Sequence, residues 1–220
     1  MKRALILVEG FTEERFVKDV LQEHFWAMSL HLAPTLLVTK RVKDGPHFKG
    51  GVSNFKKFEN DVRRLLHGAG NALVTTFLDY DGLPGDFPGM NTRPATGPVA
   101  RVTHVEQAIA AHFGGPQSLI PYLSLHEFEA LLFSSPDELP RTMTEVEKQA
   151  QFAAIRVAHA TPEQIDETDW PSHRILALFQ AYRKPLHGPI AAKRIGLDQL
   201  RAECPHFDEW IGKLEYYARH

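Results

Sequence analysis

Apolar residues are spaced in two different ways along this chain of 220 residues. Up to about residue 133, short unbroken apolar runs alternate with stretches in which apolar positions recur every three or four residues. The runs at 4–8, 36–39, 72–78 and 119–125 have the length of strands. The first and third lack polar alternation, as expected of strands covered on both faces. Between the runs, Phe16, Val17, Val20, Leu21 and Phe25 share one helical stripe, and Phe55, Phe58, Val62, Leu65 and Leu66 share another. A third helix is expected over 101–113. Ser53-Asn54 suits a helix start, and Gly68 and Gly70 suit its end. Residues 40–51 and 82–98 are rich in glycine or proline and read as loops. A loop as long as the second is usually functional.

Strand alternating with helix argues a mostly parallel sheet of about four strands with helices on both faces. Past Pro136 the strand signal stops. Helical patterns at 145–160, 174–182, 190–196 and 207–218 follow, separated by prolines. The expected organisation is an α/β core over 1–135 and a helical C-terminal region over 136–220 packed on it.

Three of the expected strand ends carry acids. Glu9 follows the first run, with Glu13 in the first turn of the next helix; Asp79 and Asp81 follow the third; Glu127 and Glu129 follow the fourth. In a parallel sheet these ends lie on one edge, where open α/β sheets place ligands. Gathered carboxylates repel one another, and a hard cation such as Mg²⁺ or Mn²⁺ resolves the repulsion. Asp-x-Asp on an extended segment places both side chains on one face. The alternatives are first-turn acids that serve only the helix dipole, especially for Glu13, and surface turns. Glu127 against Glu129 stays open, since the true strand end decides which one points inward.

Composition narrows the class. Hydrophobic residues make up 43% and charged residues 24%, as in globular proteins, and no apolar run is long enough to span a membrane. The first run is too short for a signal-peptide core, and a lone Cys204 excludes an internal disulfide or a cysteine-rich zinc site, so a cytoplasmic protein is expected. The net charge of −2 carries no global nucleic-acid signature. Residues 40–57 and 173–194 are nonetheless locally basic, which suits a phosphate-bearing partner as well as it suits solvated loops.

The segments Val8-Glu9-Gly10-x-Thr12-Glu13 and Asp79-x-Asp81 resemble the Toprim domain. The glutamate pair spaced by four is most similar to the version in nucleases named for overcoming lysogenization defect (OLD). Residues 7–13, 50–53, 79–88, 121–133 and 171–210 further resemble the bacterial family called domain of unknown function forty-two seventy-six, over nearly the whole chain. The resemblance implies a Mg²⁺-dependent nuclease with Glu9 in acid/base transfer and at the metal, and Asp79 and Asp81 as metal ligands. It also implies that Glu13 joins them and that Glu127 or Glu129 supports a second metal. A late lysine near the scissile phosphate is part of the same pattern; Lys184 is the candidate, with Lys193 as its rival. OLD proteins carry an ATPase domain and this chain has none, so a separate ATPase encoded nearby, in a phage-defence pair, is the expected partner. Two rival readings remain. One is a Toprim-like binding or sensor subunit without catalysis. The other is a haloacid-dehalogenase-type phosphatase with Asp79 as nucleophile, which lacks the later acidic motif and leaves Glu9 idle.

Overall fold

The computed structural model describes residues 1–37, 52–115, 117–165 and 169–220. Strand β1 (Lys2–Val8) leads into helix α1 (Phe11–Phe16), a π-helical turn (Val17–Leu21) and α2 (Gln22–Ala27). Strand β2 (Leu30–Leu36) follows, then α3 (Phe55–Ala69), β3 (Leu73–Asp79), α4 (Pro98–His112) and the short β4 (Leu123–Ser124). The sheet order is β2-β1-β3-β4 and every pairing is parallel. The α/β class and the four strands are those expected from the sequence.

Two elements differ from the expected pattern. The second strand lies at Leu30–Leu36 rather than 36–39, with Pro34 inside it, paired to Ile6. This strand is at the sheet edge, where a missing backbone donor is tolerated. Val38 and Thr39 of the expected strand, and most of the basic stretch 40–57, lie outside the described residues. The fourth apolar run forms only two residues of strand plus an isolated bridge, Thr75 to Ile120, because Pro121 interrupts the ladder.

Side-chain alternation splits the core in two. Ala4, Ile6, Val8 and Phe77 face α1, α2 and the C-terminal helices, while Leu7, Val74 and Leu78 face α3 and α4. Asn54 caps α3 by accepting from the Lys57 amide at 3.0 Å. The chain then continues as α5 (Glu138–Thr142), α6 (Gln149–Val157), α7 (Pro171–Leu178), α8 (Lys184–Ile195), α9 (Leu197–Glu203) and α10 (Pro205–Arg219). Among the described residues no helix is long and apolar enough to cross a membrane.

The C-terminal helices are fastened to the sheet by specific bonds. Glu163 accepts from the amides of His206 and Phe207 at 3.0 and 2.9 Å, satisfying the first donors of α10. Trp210 donates its indole N–H to Thr75 Oγ1 at 2.9 Å and stacks on Tyr122. Helix α8 contains Pro189, which cannot bond the carbonyl four residues back. That carbonyl, of Pro185, accepts instead from the Arg15 guanidinium of α1 at 3.3 Å. A broken helical bond thus becomes a link between α1 and α8.

Gly188 marks where this packing is closest. A Cβ there would lie 2.9 Å from a Phe128 ring carbon and 3.1 Å from the Tyr182 hydroxyl. Gly188→Ala should therefore destabilise the fold by roughly 1–3 kcal/mol, as overpacking does. Urea denaturation checks this, and unchanged stability would mean that α8 does not approach the core so closely.

Candidate functional site

The acids meet where β1 and β3 end. Glu9 follows Val8 directly, and its Oε2 accepts from the Asp79 amide at 3.2 Å, so the two strand ends are bonded to each other. Gly10 turns the chain into α1, and its amide donates to Glu13 Oε2 at 2.9 Å. That bond folds Glu13 back over the turn, where it is 2% exposed and its Oε1 is buried without a hydrogen-bond partner. An unpaired buried carboxylate oxygen is costly unless it is protonated or meets a cation.

Asp79 is held from two sides. Its Oδ1 accepts from the Phe128 amide at 2.8 Å, and its Oδ2 lies 2.9 Å from Lys184 Nζ. The same ammonium is 2.9 Å from Glu129 Oε2, an ion pair without the geometry of a directed hydrogen bond. Glu129 is fully buried, and its Oε1 accepts from the Tyr182 hydroxyl at 3.2 Å. Glu127 instead caps α7, accepting from the Ser172 amide and hydroxyl at 2.9 and 3.0 Å. Glu9 and Glu129 are raised chiefly by burial, and the Glu127 charge adds a small push in the same direction.

Asp81 takes a different course. Its Oδ2 is 3.0 Å from His126 Nδ1, and its amide donates to the His126 carbonyl. Strand β3 ends at Asp79, so the two-residue period that would align Asp81 with it stops there. His126 has a φ of 64°, and this kink turns the chain from the ladder into the 3₁₀ turn Phe128–Ser134 that carries Glu129. The structure thus gathers Glu9, Glu13, Asp79, Glu127, Glu129 and Lys184, and sets Asp81 beside His126. Tyr182 and the Phe128 amide were not singled out from the sequence. Tyr182 had one signal, its place two residues before Lys184 in an acid-free stretch.

The charges do not balance. Among the described residues, Lys184 is the one ammonium or guanidinium that ion-pairs with these five acids. Burial, and next the Asp79 charge, raise Glu9 to about 7 and Glu13 to about 8. Burial likewise raises Glu129 to about 7 against the pull of Lys184. Lys184 is held well above its ordinary value by Asp79, Glu129 and Glu13, despite its own desolvation. Near neutral pH Glu9, Glu13 and Glu129 therefore hold protons, chiefly because burial disfavours their charged forms.

A model of the family described as Domain of unknown function (DUF4276) matches residues 8–215. The chain belongs to that family. No curated protein matches this DUF4276 member. Among solved structures it is similar to the C-terminal region of the Xanthomonas campestris pv. campestris OLD protein, in structures phased with iodine, platinum and mercury. Identities are 16%, 17% and 16%, with TM-scores of 0.42, 0.42 and 0.44. The matches cover 99%, 100% and 98% of this chain and 98% of that region each time.

Donor chemistry in this DUF4276 protein fits a hard divalent cation: carboxylate oxygens in excess of positive charge, one of them buried and unpartnered. Among the described residues, however, no three acid, histidine or cysteine side chains already surround a single point. Side-chain rotation at Glu9, Glu13 or Asp79 would have to complete such a set.

The raised acids fix a pH dependence for the metal-free protein. Glu9 and Glu13 bind protons in the folded chain up to about 7 and about 8, whereas unfolded carboxylates release them near 4.5. The folded state holds more protons across that interval, so stability falls as pH rises through it and then levels off. Lys184 keeps its proton throughout this window and does not reverse the slope. Thermal melts in chelator should show Tm declining from about pH 5 to about pH 8. Glu13→Gln should flatten the decline and raise Tm at the alkaline end by roughly 2–4 °C. A Tm that climbs over this range in the wild type would contradict the buried, proton-holding cluster.

Proposed function

We propose that this protein is a Toprim-type phosphodiester hydrolase acting on nucleic acid with Mg²⁺ or Mn²⁺. The observation that carries the reading is a cluster of five carboxylates near the carboxyl ends of parallel strands, with one lysine ammonium paired to two of them. Hydrolysis of a phosphodiester needs positive charge at the phosphoryl oxygens and a group to manage the proton of the attacking water. The cluster offers residues for both.

Glu9, Glu13 and Asp79 are the acids that would hold the metal, with Glu129 and Glu127 behind them. A bound divalent cation would activate water and steady the departing oxygen. Lys184 contributes a second, fixed positive charge, held by Asp79 and by Glu129, which Tyr182 in turn bonds. Glu9 has a carboxyl that titrates near neutrality, so it is suited to take up or return a proton. Asp81, engaged with His126, serves on this reading to brace the turn that delivers Glu127 and Glu129.

One observation favours the second reading, a binding or sensor subunit without turnover. Lys184 pairs with both Asp79 and Glu129, as a structural ion bridge would. An ATPase-coupled system is compatible with either reading.

Cleavage of labelled DNA and RNA by the full chain, with Mg²⁺ or Mn²⁺ and with or without neighbouring gene products, tests the proposal. Turnover should require the metal and vanish in Glu9→Gln and Asp79→Asn, with folding intact. Lys184→Ala should lower the rate by on the order of a hundredfold, the usual cost of removing a preorganised charge. Cleavage that persists in chelator or in Glu9→Gln would overturn the hydrolase mechanism. Metal binding without turnover under every combination would leave the binding subunit.

A further inference from the structure

Three residues that the acid cluster does not use stand close to it along the chain or through one hydrogen bond. Phe11 is the first residue of α1, two positions after Glu9, so their Cα atoms are within about 7 Å. It is 64% exposed although it follows a buried strand and precedes the buried Thr12 and Glu13. Trp170 is 39% exposed and stands immediately before α7, two positions from the Ser172 that Glu127 grips. Its ring lies 5.2 Å from that of His173. Arg183 is exposed, precedes Lys184 in the chain, and forms no ion pair with any described residue. Helix α8 packs on α1 here: a Cβ on Gly188 would touch the Thr12 methyl at 3.5 Å.

Phe11 is largely open to solvent, Trp170 is partly so, and neither belongs to the two buried apolar clusters. Flat aromatic faces beside a phosphate-handling site match one chemistry well: stacking on nucleobases, with a cation on the intervening backbone. Bases offer their faces only when unpaired, because a duplex hides them in its stack. We propose that Phe11 and Trp170 form a stacking platform, with Arg183 as a backbone contact, and that the site therefore takes single-stranded or unpaired nucleic acid. The inference rests on the nucleic-acid reading above and specifies its substrate class.

Binding in chelator separates this claim from cleavage. Fluorescence anisotropy of a labelled oligothymidylate and of a labelled duplex of equal length, with the full chain, should show clear preference for the single strand. Phe11→Ala and Trp170→Ala should each weaken the single strand by on the order of tenfold, the usual worth of one stacked base. Duplex affinity should change little, and Trp170→Phe should retain most of the affinity. Arg183→Ala should weaken both ligands and reduce their salt dependence. Circular dichroism should match the wild type for these variants, and the Trp170→Phe variant separates lost stacking from any lost packing at the partly covered Trp170. If the wild type binds single strand and duplex equally, or the alanine variants bind as it does, the platform is wrong and the hydrolase reading stands. If the wild type binds neither ligand in chelator or with Ca²⁺ in place of Mg²⁺, both fall.

Discussion

One ammonium group ties the last third of the chain to the acid cluster at the sheet edge. Lys184 Nζ lies between Asp79, at the end of a central strand, and Glu129, fully buried in the following turn. Removing it would leave two buried carboxylates unpaired beside three more, which the interior tolerates only by protonating them. The lysine comes from α8, more than a hundred residues after Asp79. The C-terminal helices are therefore part of the site and not an appendage to it. How α8 is seated explains why the lysine is reliable there: Pro189 frees the Pro185 carbonyl for Arg15, and Gly188 lets the helix approach Phe128 and Tyr182.

The same lysine is insufficient. It pairs with two of the five acids, and Glu13 has its Oε1 buried without a hydrogen-bond partner, while burial and then the Asp79 charge raise Glu9 to about 7 and Glu13 to about 8. Such an arrangement is poor as a stabilising device, since hydrophobic side chains of similar size would cost less. Strained electrostatics of this kind concentrate at sites that bind or react. The fold as a whole does not need the cluster, because its two apolar cores on either face of the sheet are complete without it.

Much of this was legible in the sequence, for physical reasons that differ by residue. Glu9 stands out because a carboxylate ends a run of residues that can only be a buried strand. Asp79 stands out for the same reason. Lys184 was readable only as a cation in an acid-free stretch, since nothing local announces a partner so far upstream. The pairing of Asp81 with His126 was not readable: it depends on β3 stopping at Asp79 and on a left-handed backbone at a histidine. The position of β2 was missed because Pro34 argues against a strand, and only its place at the sheet edge removes the objection. Tyr182 and Gly188 matter through contacts more than fifty residues away in sequence, which periodicity does not encode.

The central claim is that Glu9, Glu13 and Asp79 form a cation site completed by, and not replaced by, Lys184. Anomalous diffraction from crystals of the full chain grown with Mn²⁺ tests it most directly. The account predicts a manganese peak bonded to carboxylate oxygens of Asp79 and of Glu9 or Glu13, with Lys184 still on Glu129. A cluster that stays as it is in saturating Mn²⁺, with the metal elsewhere or nowhere, would contradict it.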